Sequence, residues 1–152
     1  MNRPPVRRAL AVLVLGAAAL VAACGPAAPT ASPAGAAASG APAGVLAPLP
    51  AEVTVADAAT LQEAGAFVLD VRQPEEWAAG HIAGATLVPL GELPSRLTEV
   101  PRDRQVVVVC RTGHRSAQGR DILLAAGYPA VTSMAGGMTQ WTAAGKAVAT
   151  GS

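Results

Sequence analysis

Val106-Val107-Val108-Val109-Cys110-Arg111-Thr112-Gly113-His114-Arg115-Ser116 is the stretch from which the fold can be read. Four consecutive β-branched residues fit a strand buried on both faces, because a half-exposed strand would carry a polar residue at every second position. The strand stops at a cysteine. A short cation-rich loop with one glycine follows, and the spacing from Ser116 predicts a helix through Ala126. A cysteine at the carboxyl end of a buried strand, facing a helix start, stands where open α/β sheets bind ligands. The helix's unbonded N–H groups and the positive end of its dipole favour a thiolate there. A purely structural cysteine has no need of such neighbours. Cys110 has three, Arg111, His114 and Arg115, and reads as an activated nucleophile.

Upstream, Val53 to Val55 reads as a short strand, and Asp57 as the N-cap of a helix from Ala58 to Ala64 that ends at Gly65. Phe67 to Asp70 is a second strand, Pro74 starts a short helix through Glu75, Glu76 and Trp77, and Thr86 to Val88 is a third strand. A short helix around Glu92 to Leu97 and a turn at Pro101 lead into Val106. Ala130 to Ser133 forms the last strand and Gly137 to Ala144 a closing helix. Strands alternating with helices predict an α/β fold whose sheet is mainly parallel and covered on both faces.

The 152 residues amount to at most one ordinary domain. Phe67, Tyr128, Trp77 and Trp141 are the only aromatics, so the core is mostly aliphatic. The formal charge of +1 hides an asymmetry: Arg3, Arg7 and Arg8 precede an apolar run from Ala9 to Ala23. A basic start, a short apolar stretch and small residues make the layout of a secretory signal, residues 1–23. The run is short for a helix that must cross ~30 Å of hydrocarbon. Without those three arginines, eight cations face ten acids, a net charge of −2, which gives no reason to expect nucleic acid as a partner.

Val21-Ala22-Ala23-Cys24-Gly25 resembles the lipobox of bacterial lipoproteins. That resemblance implies that Cys24 takes fatty-acyl chains such as palmitate and becomes the new N-terminus, anchoring the protein to the membrane with its domain on the extracytoplasmic side. Residues 24–51 then form a tether rich in alanine, proline, glycine and serine, uncharged from Pro26 to Ala51 and roughly 28 Å in mean span. The folded domain covers 52–150. With Cys24 lipidated, Cys110 is the sole free thiol, and a lone thiol in an exported protein calls for a role such as catalysis.

Three segments resemble one family. Asp70-Val71-Arg72-Gln73-Pro74-Glu75-Glu76-Trp77-Ala78-Ala79-Gly80-His81-Ile82-Ala83-Gly84-Ala85 is similar to the DVR-x-P-x-E-[WYF]-x-x-GHI-x-GA signature of rhodanese domains. Cys110 to Ser116 is similar to their C-x-x-G-x-RS loop, and Gly136-Gly137-Met138-Thr139-Gln140-Trp141, with Gly145 beyond, to their closing GG-x-x-x-W. The resemblance implies a three-layer fold around a five-stranded, mainly parallel sheet. It also implies a sulfurtransferase that needs no cofactor: the Cys110 thiolate takes sulfane sulfur from a small anionic donor such as thiosulfate, holds it as a persulfide, and yields it to cyanide, a thiol or a partner protein. The six residues from Cys110 to Arg115 match the sulfur-handling members. Related phosphatases and arsenate reductases have a loop one residue longer.

Loop N–H groups suit an anion, and Arg111, Thr112, Gly113, His114 and Arg115 are the expected substrate-binding residues. Asp70 is expected to pair with Arg115 and brace the loop, together with Arg72 and Ser116, with Arg72 either facing the pocket or solvated. His81 reads as structural, and Trp77 and Trp141 as packing residues. Two histidines without ligand spacing argue against a metal site. Two further readings stay open: a persulfide carrier or interaction module with little thiosulfate turnover, and redox sensing at Cys110 with a partner's thiol.

Overall fold

A computed structural model describes residues 46–151; the expected signal segment, the lipidation at Cys24 and most of the tether lie outside them. The elements run β1 (Glu52–Val53), α1 (Val55–Glu63), β2 (Phe67–Asp70), α2 (Pro74–Ala79) and β3 (Thr86–Leu87). Two single 3₁₀ turns, Leu93–Ser95 and Leu97–Glu99, precede β4 (Val106–Val109), α3 (His114–Ala125), β5 (Val131–Met134) and α4 (Gly137–Ala143). The five strands form one sheet in the order β1-β5-β4-β2-β3, with every neighbouring pair parallel.

The sheet order explains the valine run. β4 lies at the centre, and all four valines are fully buried. Val107 and Val109 pack with Ala58, Ala59, Met138 and Trp141 on the face covered by α1 and α4. Val106, Val108 and Cys110 pack with Leu69, Val71, Leu93 and Leu123 on the face covered by α3. The chain leaves β4 for β5 on one side and β2 for β3 on the other, so the carboxyl ends of these two neighbours flank a topological switch point, with Cys110 at the end of β4. Asp70 is in register with Val109, one residue before the cysteine.

Two helix starts differ from the sequence expectation. Thr54, not Asp57, caps α1: Asp57 N donates to Thr54 Oγ1 at 3.2 Å and Thr54 N to Asp57 Oδ2 at 3.4 Å. This reciprocal pair moves the helix start to Val55 and ends β1 at Val53. α3 starts at His114 because Gly113, at φ +105°, turns the chain directly into the helix. The tether's last residue is already stitched to the domain, since Ala51 O accepts from Ser133 N at 3.1 Å and from Arg120 Nη1 at 2.8 Å. No helix among the described residues is long and apolar enough to cross a membrane.

Candidate active site

Cys110 is 1% exposed, at the point where β4 gives way to the loop. Gly113 N donates to Sγ at 3.1 Å, and Ser116 Oγ lies 3.6 Å from it. Burial pushes the thiol up, but hydrogen bonding from Ser116 Oγ and from the backbone N–H groups of Ser116, Gly113 and Thr112 outweighs burial and leaves its pKa below the ordinary value.

The loop is held from behind by α4. Met138 N donates to Cys110 O at 2.8 Å, and Thr139 bonds Arg111 O twice, through its N–H at 3.0 Å and its hydroxyl at 2.9 Å. Gly136-Gly137 makes this approach possible. A Cβ on Gly137 would fall 2.2 Å from Cys110 O and 2.7 Å from Arg111 O, inside van der Waals contact. The GG pair is visible in the sequence, but the contact of Gly137 with residues 26 and 27 positions earlier is not, and Thr139 carried no signal at all.

The expected Asp70–Arg115 pair does not form. Asp70 is 1% exposed and instead binds Arg72, whose Nε lies 2.9 Å from both carboxylate oxygens and whose Nη2 lies 2.7 Å from Oδ2. The two residues are two positions apart where the chain leaves β2, and the Arg72 guanidinium takes up both oxygens of the buried carboxylate. Arg72 is accordingly buried, not solvated, and also donates to Glu76 O at 3.1 Å and Gly80 O at 2.8 Å. Arg115 takes Glu76, with Nη1 and Nη2 at 2.7 and 2.8 Å from its carboxylate oxygens. Chiefly through that hydrogen-bonded pair, and against the opposing effect of burial, Glu76 falls from 4.5 to about 2. The brace therefore consists of Glu76 and Arg115. A glutamate in the first turn of a helix that follows Asp-x-Arg was the available hint.

Arg111, Thr112 and His114 are exposed, and Arg115 is half-buried. Among the described residues Arg111 is the one arginine whose guanidinium has no intramolecular partner. It borders a cleft of about 260 Å³ between α2 and α4, together with Arg72, Glu76, Met138, Thr139 and Val148. A larger recess of about 580 Å³, bordered by Thr54, Gly136, Gln140 and Lys146, has no thiol, acid or arginine on its walls. His81 stacks on Trp77 with ring centroids 3.7 Å apart, and its backbone pairs with Ala149, a structural position. Trp141 is core, its Nε1 donating to Ala147 O at 3.0 Å.

The model of the rhodanese-like domain matches residues 54–144. A sulfurtransferase of Allochromatium vinosum is 40% identical over 75 residues, which cover 49% of this chain and 70% of that protein. The putative sulfur carrier protein YrkF of Bacillus subtilis is 33% identical over 75 residues, again 49% of this chain but 40% of that protein. A rhodanese-related protein from Thermoplasma volcanium superposes with a TM-score of 0.61 at 32% identity, covering 64% of this chain and 96% of that one. The matched span contains the Asp70 segment, the cysteine loop and the Gly136-Gly137 close, on a sheet of the same architecture, and the chain belongs to the rhodanese-like domain family.

Proposed function

We propose that this chain is a sulfurtransferase that carries sulfane sulfur as a persulfide on Cys110. The observation that carries the reading is the sulfur itself: Sγ at the carboxyl end of the central strand, 3.1 Å from Gly113 N and 3.6 Å from Ser116 Oγ, in a loop whose next residue, Arg111, is exposed. Similarity to a sulfurtransferase and to a putative sulfur carrier supports sulfur transfer in general; thiosulfate as donor and cyanide or a thiol as acceptor are the finer proposal.

In the loading step the Cys110 thiolate attacks the outer sulfur of the donor. The new S–S bond forms as the donor's own S–S bond breaks, and the electron pair leaves with sulfite. In the second step a nucleophilic acceptor attacks the outer persulfide sulfur, and the pair of the broken bond returns to Sγ. Both resting forms are anions, suited to the loop N–H groups and to Arg111. No group beyond the cysteine is needed to hold the sulfur. By the lipobox-like segment at Cys24 we place the domain on a lipid anchor at the extracytoplasmic side, which detergent phase partitioning of the Cys24→Ser variant tests.

Mass measurement of Cys110 after exposure to thiosulfate and other sulfane donors tests the central claim. Gain of one sulfur atom, reversed by cyanide and absent in Cys110→Ser, is expected; no gain with any donor overturns the reading. A carrier role is the second reading, favoured by the YrkF similarity. Stoichiometric loading with negligible thiosulfate:cyanide turnover would select it.

A further inference from the structure

Ser116 is fully buried, and its single hydroxyl proton has two possible destinations. Oγ lies 2.8 Å from Gly113 O, to which it donates, and 3.6 Å from Cys110 Sγ, from which it accepts the thiol proton. The two neighbours depend on it unequally. Gly113 O also accepts Ala117 N–H at 3.0 Å, so it keeps a partner if the hydroxyl turns away. An ionised Sγ has no second hydroxyl to call on, only backbone N–H groups such as that of Gly113.

We propose that Ser116 is a catalytic residue whose hydroxyl turns from Gly113 O to Sγ whenever the cysteine sulfur carries the charge. A hydrogen bond to a thiolate is charge-assisted and stronger than one to a neutral carbonyl, which gives the rotation its direction. No buried group is orphaned in either state, so the turn escapes the usual cost of a lost partner. With the thiol protonated, Sγ–H donates to Oγ and Oγ–H to Gly113 O. When the thiol proton leaves to solvent, Oγ–H donates to the thiolate while Ala117 N–H holds Gly113 O. The same donor meets Sγ again at the end of the cycle: as the acceptor takes the outer sulfur, the electron pair of the broken S–S bond settles on Sγ, and a stabilised thiolate is the better leaving group. This second role rests on the persulfide reading above; the first does not. Ser116 is also the foremost of the groups that hold the thiol below its ordinary range against the pull of burial.

The test is the pH dependence of iodoacetamide alkylation at Cys110, followed by peptide mass in the full chain. Ser116→Ala is expected to raise the midpoint by about one unit, a tenfold loss of thiolate below it, with Ser116→Thr restoring the wild-type midpoint. A folded Ser116→Ala protein with an unchanged midpoint overturns the proposal. Should Ser116→Ala not fold, crystal structures of the unmutated protein below and above the midpoint decide: the Oγ–Sγ separation shortens from 3.6 Å as Oγ leaves Gly113 O, or, if both distances hold, the proposal fails. Discharge of preloaded persulfide to cyanide above the midpoint is expected to be several-fold slower in Ser116→Ala; equal rates remove the leaving-group role. Failure of the wild type to load sulfur would count against the persulfide reading alone, because alkylation needs no sulfur donor.

Discussion

Arg115 reaches across 39 residues of sequence to close a two-point ion pair with Glu76, joining the first turn of α3 to the first turn of α2. The loop between Cys110 and His114 is thereby tethered at its far end to α2. Glu76→Gln should cost about 1 kcal/mol at neutral pH, the scale of a partly exposed pair. The sign of its pH dependence follows from the depressed acid. Glu76 titrates near 4.5 when unfolded and near 2 when folded, so its contribution is complete above 4.5 and fades as pH falls towards 2. Urea unfolding of wild type and Glu76→Gln should differ at neutral pH and converge across that interval.

Asp70→Asn should be costlier. Arg72 is 5% exposed, and removing its counter-charge leaves a buried guanidinium with two carbonyls alone. Breaking one side of such a pair costs about 3–5 kcal/mol. If the stranded charge is the cause, the double variant Asp70→Asn/Arg72→Met should regain part of the loss in urea unfolding. Equal stability of the single and double variants would refute that account.

Gly137→Ala tests how closely α4 must approach the loop. Its Cβ would overlap Cys110 O, and backbone at φ +53° is strained for alanine, so roughly 3 kcal/mol or more should be lost together with the fast alkylation of Cys110. Gly145→Ala is the control. It has similar backbone, φ +68°, but open space, and should cost about 1 kcal/mol and leave Cys110 reactivity intact.

Arg111→Gln should leave stability within about 0.5 kcal/mol, since the side chain is exposed and unpaired. Its effect belongs to the donor. Steady-state kinetics should show KM for thiosulfate raised with kcat little changed, and the salt sensitivity of kcat/KM reduced. Equal KM in both proteins would remove Arg111 from donor binding.

The central strand, the cysteine at its end and the parallel sheet were legible because a run of β-branched residues and an abrupt change to cations are local patterns. Partner choice was not. Asp70 was expected to reach Arg115, yet the guanidinium two residues along, at Arg72, lies on the same exit from β2 and takes it first. Glu76 and Thr139 meet the loop only after chain segments tens of residues apart are packed, and spacing along one segment carries no trace of that. The Thr54 cap was within reach of sequence reasoning: Thr-x-x-Asp is a capping box as readily as Asp57 is a lone cap. Sterically, Gly113 served the helix two residues earlier than the apolar spacing implied.

The bonds from Met138 and Thr139 to the carbonyls of Cys110 and Arg111 make the chemistry of the cysteine a late product of folding. The groups that pull the thiol down come from the loop and from α3, while the groups that fix the loop come from α4, close to the carboxyl end of the chain. A chain still lacking α4 therefore holds an ordinary, slow thiol, and only the completed sheet and its last helix switch it on. Alkylation speed at Cys110 is thus an internal clock for assembly: in a refolding experiment it should rise last, after the sheet's backbone amides are already protected from exchange.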